Sequence, residues 1–223
     1  MNLKQKCAKA AIAYITDDTI IGLGGGSTIG YLIDFIKEEK LNVKVVTPSL
    51  KTKHLCVKQG LNVLPTSAVE EIDVAFDGCD EVDEKLHALK SGGGIHTQEK
   101  LIAHMAKEYI LLVDDSKVVS ELTYKHPVVL EILQDSLAYV RKKVGEMSGK
   151  AEVRSSSAKD GYTVTDYGNF LVDVWFEAGQ DSVQLEKLLK EIPGVLDISL
   201  FTTVVSKALV ASEVGIHEIS KRD

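Results

Sequence analysis

Three cysteines, four prolines and one tryptophan are all that the 223 residues hold of these types. Cys7, Cys56 and Cys79 are scattered, odd in number and in no zinc-ligand spacing, which argues against a disulfide framework or a zinc module and predicts a reducing compartment, the cytoplasm. No apolar run approaches the roughly 20 residues that a membrane-spanning helix needs. The opening Met1-Asn2-Leu3-Lys4-Gln5-Lys6 lacks the apolar stretch of a secretion signal, so neither a membrane partner nor export by a standard signal is expected. Basic blocks are missing too. With a formal charge of -7 and no series of cations to neutralise phosphates, nucleic acid is not an expected partner. Attraction of an anion must then be local, from Lys90, Lys117 and helix N-termini.

Two nucleotide-binding motifs are also absent, although glycine is not scarce. In the G-x-G-x-x-G pattern, Gly22 and Gly24 lead to Ser27, while Gly24 and Gly26 lead to Ile29, and no acidic residue closes the strand expected at 43–46. No lysine precedes Ser27 or Thr28, so the phosphate loop of nucleotide hydrolases fails as well. A dinucleotide or ATP is therefore not expected. A strand at 19–23, a glycine turn and a helix at 29–39, with Tyr31, Leu32, Phe35 and Ile36 on one face, still present backbone N–H groups to an anion. A small phosphate held by the loop amides and the Ser27 and Thr28 hydroxyls fits. The plainer alternative is a glycine turn packed tightly for reasons of fold, and the paired hydroxyls at the helix start weigh against it.

Most of the reactive side chains lie between residues 73 and 117. Residues 74–76 and 109–113 are short apolar runs of the kind buried in parallel sheets, which puts Asp77, Asp80 and Lys117 at strand ends, where open α/β sheets bind ligands. Asp77 and Asp80 can exchange protons as acid and base, Lys90 can face a developing oxyanion, and Gly92, Gly93 and Gly94 bare the backbone for close approach. Glu99 is expected in the first turn of a helix capped by Thr97, with the helix dipole keeping its carboxylate ionised. Singly, each has a bland reading: a solvated acidic turn at 80–84, a surface lysine, a routine first-turn glutamate. Their joint placement beside a glycine loop favours chemistry. A calcium loop is excluded, since Ala88 stands where the bidentate glutamate belongs. Cys79 reads as a small buried neighbour rather than a nucleophile, because no histidine adjoins it.

Alternating strand and helix signals, with further elements at 43–47, 50–59 and 62–64, predict an α/β fold built on a doubly wound, mostly parallel sheet. After Lys117 the pattern changes to strand 126–133, helix 135–147, strands at 151–155 and 162–176 around an Asp160-Gly161 turn, helix 182–191 and strand 195–201. That β-α-β-β-α-β order predicts an inserted smaller α+β domain at 124–201, carried on a domain of 1–123 plus 202–223. Within it Asn169 and Trp175 are the candidates for function, although a strand tryptophan is more often part of the core.

Taken in order, Gly24-Gly25-Gly26-Ser27-Thr28, Phe76-Asp77-Gly78-Cys79-Asp80-Glu81-Val82-Asp83, Lys90-Ser91-Gly92-Gly93-Gly94 with Glu99-Lys100, and Val113-Asp114-Asp115-Ser116-Lys117 resemble the signature segments of the A-type ribose-5-phosphate isomerases. Tyr167-Gly168-Asn169-Phe170 and Pro193-Gly194-Val195 extend the likeness over essentially the whole chain. The resemblance implies a Rossmann-like domain with an inserted ferredoxin-like one, a homodimer or homotetramer, and interconversion of D-ribose 5-phosphate and D-ribulose 5-phosphate in the pentose phosphate pathway without cofactor or metal. It makes Glu99 the base between C1 and C2, gives Asp77 and Asp80 the hydroxyl protons and ring opening, and makes Lys90 the stabiliser of the enediolate. Ser27, Thr28 and Lys117 fall in the sugar-phosphate site, with Gly25, Gly26, Gly78, Cys79, Ser91, Gly92 and Gly93 lining the rest. Gly25 stands where the family usually has threonine, Ser91 where it usually has glycine, and Asp197-Ile198-Ser199 replaces a more usual glutamate and glycine. These departures keep two alternatives in view: an isomerase or deaminase for another sugar phosphate, and a silent sugar-phosphate sensor.

Overall fold

The computed structural model describes residues 1–221; the last two residues of the 202–223 segment lie outside the described residues. Its main sheet is built on aliphatic runs that can be buried on both faces, as a parallel strand requires. In spatial order it contains β17 (Ile216–Ser220), β16 (Lys207–Ala211), β7 (Ala106–Asp114), β4 (Ile72–Asp77), β1 (Ile20–Leu23), β2 (Lys44–Val46) and β3 (Asn62–Val63). Every pairing is parallel except that of β17, which returns antiparallel on β16. Successive residues of β7 face opposite sides. Ile110 and Leu112 join Ile21, Leu23 and Phe76 against α1 (Leu3–Ala11) and α2 (Ser27–Glu38), while Tyr109, Leu111 and Val113 pack with Ile102 and Ala103 of α4 (His96–Met105). α3 (Leu50–Lys58) connects β2 to β3. Strand order reverses between β1 and β4, and ligands bind at such a switch point, beyond the carboxyl ends of the strands.

The second unit is the expected ferredoxin-like insertion. β9 (Val128–Ile132), α5 (Leu137–Glu146), β10 (Lys150–Val153), β13 (Phe170–Trp175), α6 (Ser182–Lys190) and β14 (Val195–Ile198) form an antiparallel sheet of order β10-β13-β9-β14. Val128, Leu130, Val172 and Val174 pack against Val140, Val144, Leu185 and Leu189 of the two helices. A hairpin, β11 (Ser155–Ser156) with β12 (Lys159–Tyr162), extends between β10 and β13. It moves the expected turn: Ser157 and Ala158 make it, and Asp160 and Gly161 lie within β12. A glycine after an aspartate was the stronger sequence signal, but here Gly161 serves a strand position at φ +101°.

A small sheet that sequence periodicity did not reveal joins the two units. Its order is β15 (Leu200–Phe201), β6 (Ala88–Leu89), β5 (Glu81–Asp83) and β8 (Val118–Val119). The acidic run is therefore no solvated turn: Glu81 and Asp83 are buried, with Glu81 accepting from Thr123 and Asp83 from the N–H groups of Lys85 and His87. Among the described residues no helix is long and apolar enough to cross a membrane.

Candidate active site

Each reactive side chain owes its place to one of these elements. Asp77 ends β4, beside the carboxyl end of β1, where the Gly24 N–H bonds the Phe76 carbonyl at 2.9 Å. Only glycine fits at 24, since a Cβ there would overlap the Asp77 carboxylate. The hairpin β5-β6 then closes the gap between Asp80 and Lys90. Glu81 pairs with Leu89, the Asp80 N–H bonds the Leu89 carbonyl at 2.8 Å, and the flanking residues emerge together. α4 brings Glu99 back over them.

Lys90 is the hub. Its Nζ lies 3.1 Å from Asp77 Oδ2 and 3.5 Å from Glu99 Oε1, and donates to the Gly78 carbonyl. All three ionisable side chains are at most 10% exposed. Burial would pull the Lys90 ammonium down, but Asp77 and Glu99 outweigh it and hold it above the ordinary lysine value. Burial, reinforced by the negative charge of Asp77, pushes Glu99 up to about 8 against the opposing pull of Lys90. Burial beside Asp77 thus opposes the helix dipole expected to keep Glu99 ionised, and shifts its carboxyl toward the protonated form. The expected cap is corrected. Ile95 occupies the N-cap position without a side-chain bond, and Thr97 lies inside the first turn with its buried Oγ1 unpartnered among the described residues.

The two aspartates are differently loaded. Asp77 accepts from Gly78 N–H at 2.8 Å, Gly25 N–H at 3.4 Å and the Tyr109 hydroxyl at 3.0 Å, besides Lys90. Among the described residues Asp80 accepts only from Gly92 N–H, at 2.9 Å, and keeps lone pairs for another donor. Cys79 is a thiol, not a thiolate, because burial pushes it up to about 12.

These groups face one cavity of about 640 Å³. Gly25, Gly26, Ser27, Thr28, Gly78, Cys79, Asp80, Gly92, Gly93 and Lys117 line it with the Lys90 cluster, so nearly all of the expected residues meet there. Ser91 does not: its hydroxyl turns away to the Pro127 carbonyl at 2.5 Å. The other departures also lie behind the site. Asp197 and Glu186 receive Lys100 Nζ at 2.9 and 2.7 Å, and the Ser199 carbonyl receives the Lys90 N–H at 2.9 Å. At Gly25 a Cβ would meet nothing closer than Ser49 Oγ at 3.8 Å, so the absent threonine side chain leaves open room at the mouth of the loop.

Several lining residues escaped the sequence. Lys4 of α1 donates to Ser27 Oγ at 3.0 Å, adding a cation to the glycine turn, yet in sequence it is one lysine of an amphipathic helix. Ser49, Lys51 and Asp166 join the wall without a local motif. Tyr109 had a signal: a phenol in a buried aliphatic strand needs a partner, and Asp77 is that partner. Among the described residues no group of three or more His, Cys, Asp or Glu side chains has the geometry to hold a metal ion.

A family model described as ribose 5-phosphate isomerase A (phosphoriboisomerase A) matches residues 44–215. A protein named ribose-5-phosphate isomerase A from Methanocaldococcus jannaschii is 38% identical, over 99% of this chain and 98% of its own, and one of the same name from Pyrococcus furiosus is 36% identical, over 98% of each. The solved structure of the Methanocaldococcus jannaschii enzyme superposes with a TM-score of 0.92 over 98% of both chains. A D-ribose-5-phosphate isomerase in complex with phospho-erythronic acid superposes with a TM-score of 0.93, at 33% identity, over 99% of this chain and 100% of that one.

Proposed function

Because this chain belongs to the ribose 5-phosphate isomerase A family, we propose that its cavity interconverts D-ribose 5-phosphate and D-ribulose 5-phosphate, with Glu99 as the base. The observation that carries this reading is the placement of Lys90 within 3.1 Å of Asp77 and 3.5 Å of Glu99, in a cavity that also holds Ser27 and Thr28. Phospho-erythronic acid, bound by a relative, bears a phosphate at one end and a carboxylate at the other, the charge pattern of a sugar phosphate with an enediolate.

Phosphate binds to the N–H groups of the glycine turn, the Ser27 and Thr28 hydroxyls, Lys4 and Lys117, which fixes the reacting end of the sugar. Ring opening needs a proton taken from the C1 hydroxyl and one given to the ring oxygen as the C1–O bond breaks. Asp80, with its free lone pairs, is suited to that exchange. Glu99, once deprotonated, removes the proton from C2, and the electron pair moves through a C1–C2 double bond to the carbonyl oxygen. Lys90 meets the charge on that oxygen. Glu99 returns the proton to C1, and a proton passes between the two oxygens by way of Asp77, leaving the carbonyl at C2.

Incubation of the pure protein with ribose 5-phosphate and a metal chelator is expected to yield ribulose 5-phosphate; no product beside an active control isomerase overturns the reading. A base whose carboxyl is shifted upward by burial has a further consequence. Below pH about 8, kcat/KM should rise up to tenfold per unit as Glu99 loses its proton, then level off. A pH–rate profile flat from about 6 to about 9 would mean that Glu99 rests ionised, without the upward shift.

The same reading includes a homodimer or homotetramer in the cytoplasm. Family membership supports it, as do the exposed apolar side chains of Leu133, Tyr139 and Leu188. Light scattering that returns the mass of one chain, 24.3 kDa, excludes the oligomer.

A further inference from the structure

Arg154 follows β10 in the insertion and is not among the cavity-lining residues. Its guanidinium is held from one side by Asp173 of β13. Nε donates to both carboxylate oxygens at 2.9 and 3.2 Å, and Nη2 lies 2.6 Å from Oδ1. From the other side the same planar group reaches the loop that follows Lys90, with Nη2 donating to the Ser91 carbonyl at 2.8 Å and Nη1 to the Gly92 carbonyl at 3.3 Å. Gly92 is thereby gripped at both ends, since its N–H donates to Asp80. Leu171 of β13 closes on the same loop so tightly that a Cβ on Gly94 would collide with its Cδ1.

We propose that Arg154, oriented by Asp173, is a positioning residue for the isomerisation: by bonding two consecutive carbonyls it fixes the loop between Lys90 and Gly94 and, through Gly92, the carboxylate of Asp80. This rests on the roles given to Lys90 and Asp80 above. An exposed ion pair would contribute little, but these side chains are only 20% and 17% exposed, and charge-assisted bonds there are stronger and more directional. The fork of donors matters. Lysine, a compact point charge, cannot hold a carboxylate on one side and two carbonyls on the other.

The test compares wild type with Arg154→Ala, Arg154→Lys and Asp173→Asn. Arg154→Ala is expected to lower kcat about 30-fold, with KM within about threefold, as for a displaced reacting group. Arg154→Lys should stay nearly as slow, and guanidinium ion added to Arg154→Ala should restore part of the rate. Backbone amide exchange over residues 90–94 should quicken at least about tenfold, whether or not the protein turns over sugar. A folded Arg154→Ala with kcat within about twofold of wild type and unchanged exchange overturns the proposal. Should that variant not fold, Asp173→Asn decides: slower turnover and faster exchange support the clamp, and wild-type values of both overturn it. A wild type without isomerase activity sinks the isomerase reading, while the exchange comparison still judges the clamp.

Discussion

Glutamine at position 99 is expected to lower kcat for ribose 5-phosphate by about 1,000-fold and to leave KM within about threefold. Glu99→Gln keeps the side chain's size and its ability to accept from Lys90, so binding of the sugar phosphate should survive. What it removes is an oxygen that can take and return a carbon-bound proton. Solvent deuterium should therefore cease to enter the sugar at the same time as turnover fails. A glutamine variant that retains near-normal kcat would mean that another group moves the proton. The loss should not resemble that of a merely structural residue, because Glu99 contributes no packing that glutamine cannot reproduce.

Lys90→Met is expected to damage two things at once. Catalysis should fall by about 100- to 1,000-fold, the typical cost of removing one group that stabilises a developing oxyanion. Stability should fall too, because Asp77 and Glu99 would remain buried without their cation, and breaking a buried ion pair commonly costs about 3–5 kcal/mol. The pH dependence of that loss has a definite sign. Glu99 binds its proton more tightly in the folded protein than in the unfolded chain, so folding takes up a proton between pH about 4.5 and about 8, and stability falls as pH rises through that window. Lys90 pulls the Glu99 value down; without it the window extends upward. Denaturation of Lys90→Met should thus show a larger deficit against wild type at pH about 9 than at pH about 6. Equal deficits would mean that the lysine does not compensate the two carboxylates.

The parallel strands were legible because burial on both faces demands unbroken apolar runs, and residues 74–76 and 109–113 have them. The insertion was legible from the order of its elements, each long enough to show a period. Asp77, Lys90 and Glu99 were legible as a set through the resemblance, though their spacing alone did not say that they meet. The small sheet was not. Strands of two or three residues, such as Glu81–Asp83 and Ala88–Leu89, are too short for alternation, and their acidic content imitates a surface turn. For Glu99 the helix dipole, worth about 0.3–1 kcal/mol, was legible in the sequence, whereas the opposing effect of burial beside Asp77 was not, because it depends on tertiary packing. Lys4 and Arg154 carry no local mark at all; only tertiary packing brings them to residues 23 and more than 60 positions away.

The strand Leu200–Phe201 leaves the smaller unit and is at once paired to Leu89 and Ala88, with the Ser199 carbonyl bonded to the N–H of Lys90 itself. Lys90 thus has its backbone stitched into the hem of the smaller lobe. Trimming the enzyme to its larger lobe would unpick that seam and leave Lys90 attached to a frayed edge. The insertion is in this sense a brace on the wall of the cavity that carries Lys90.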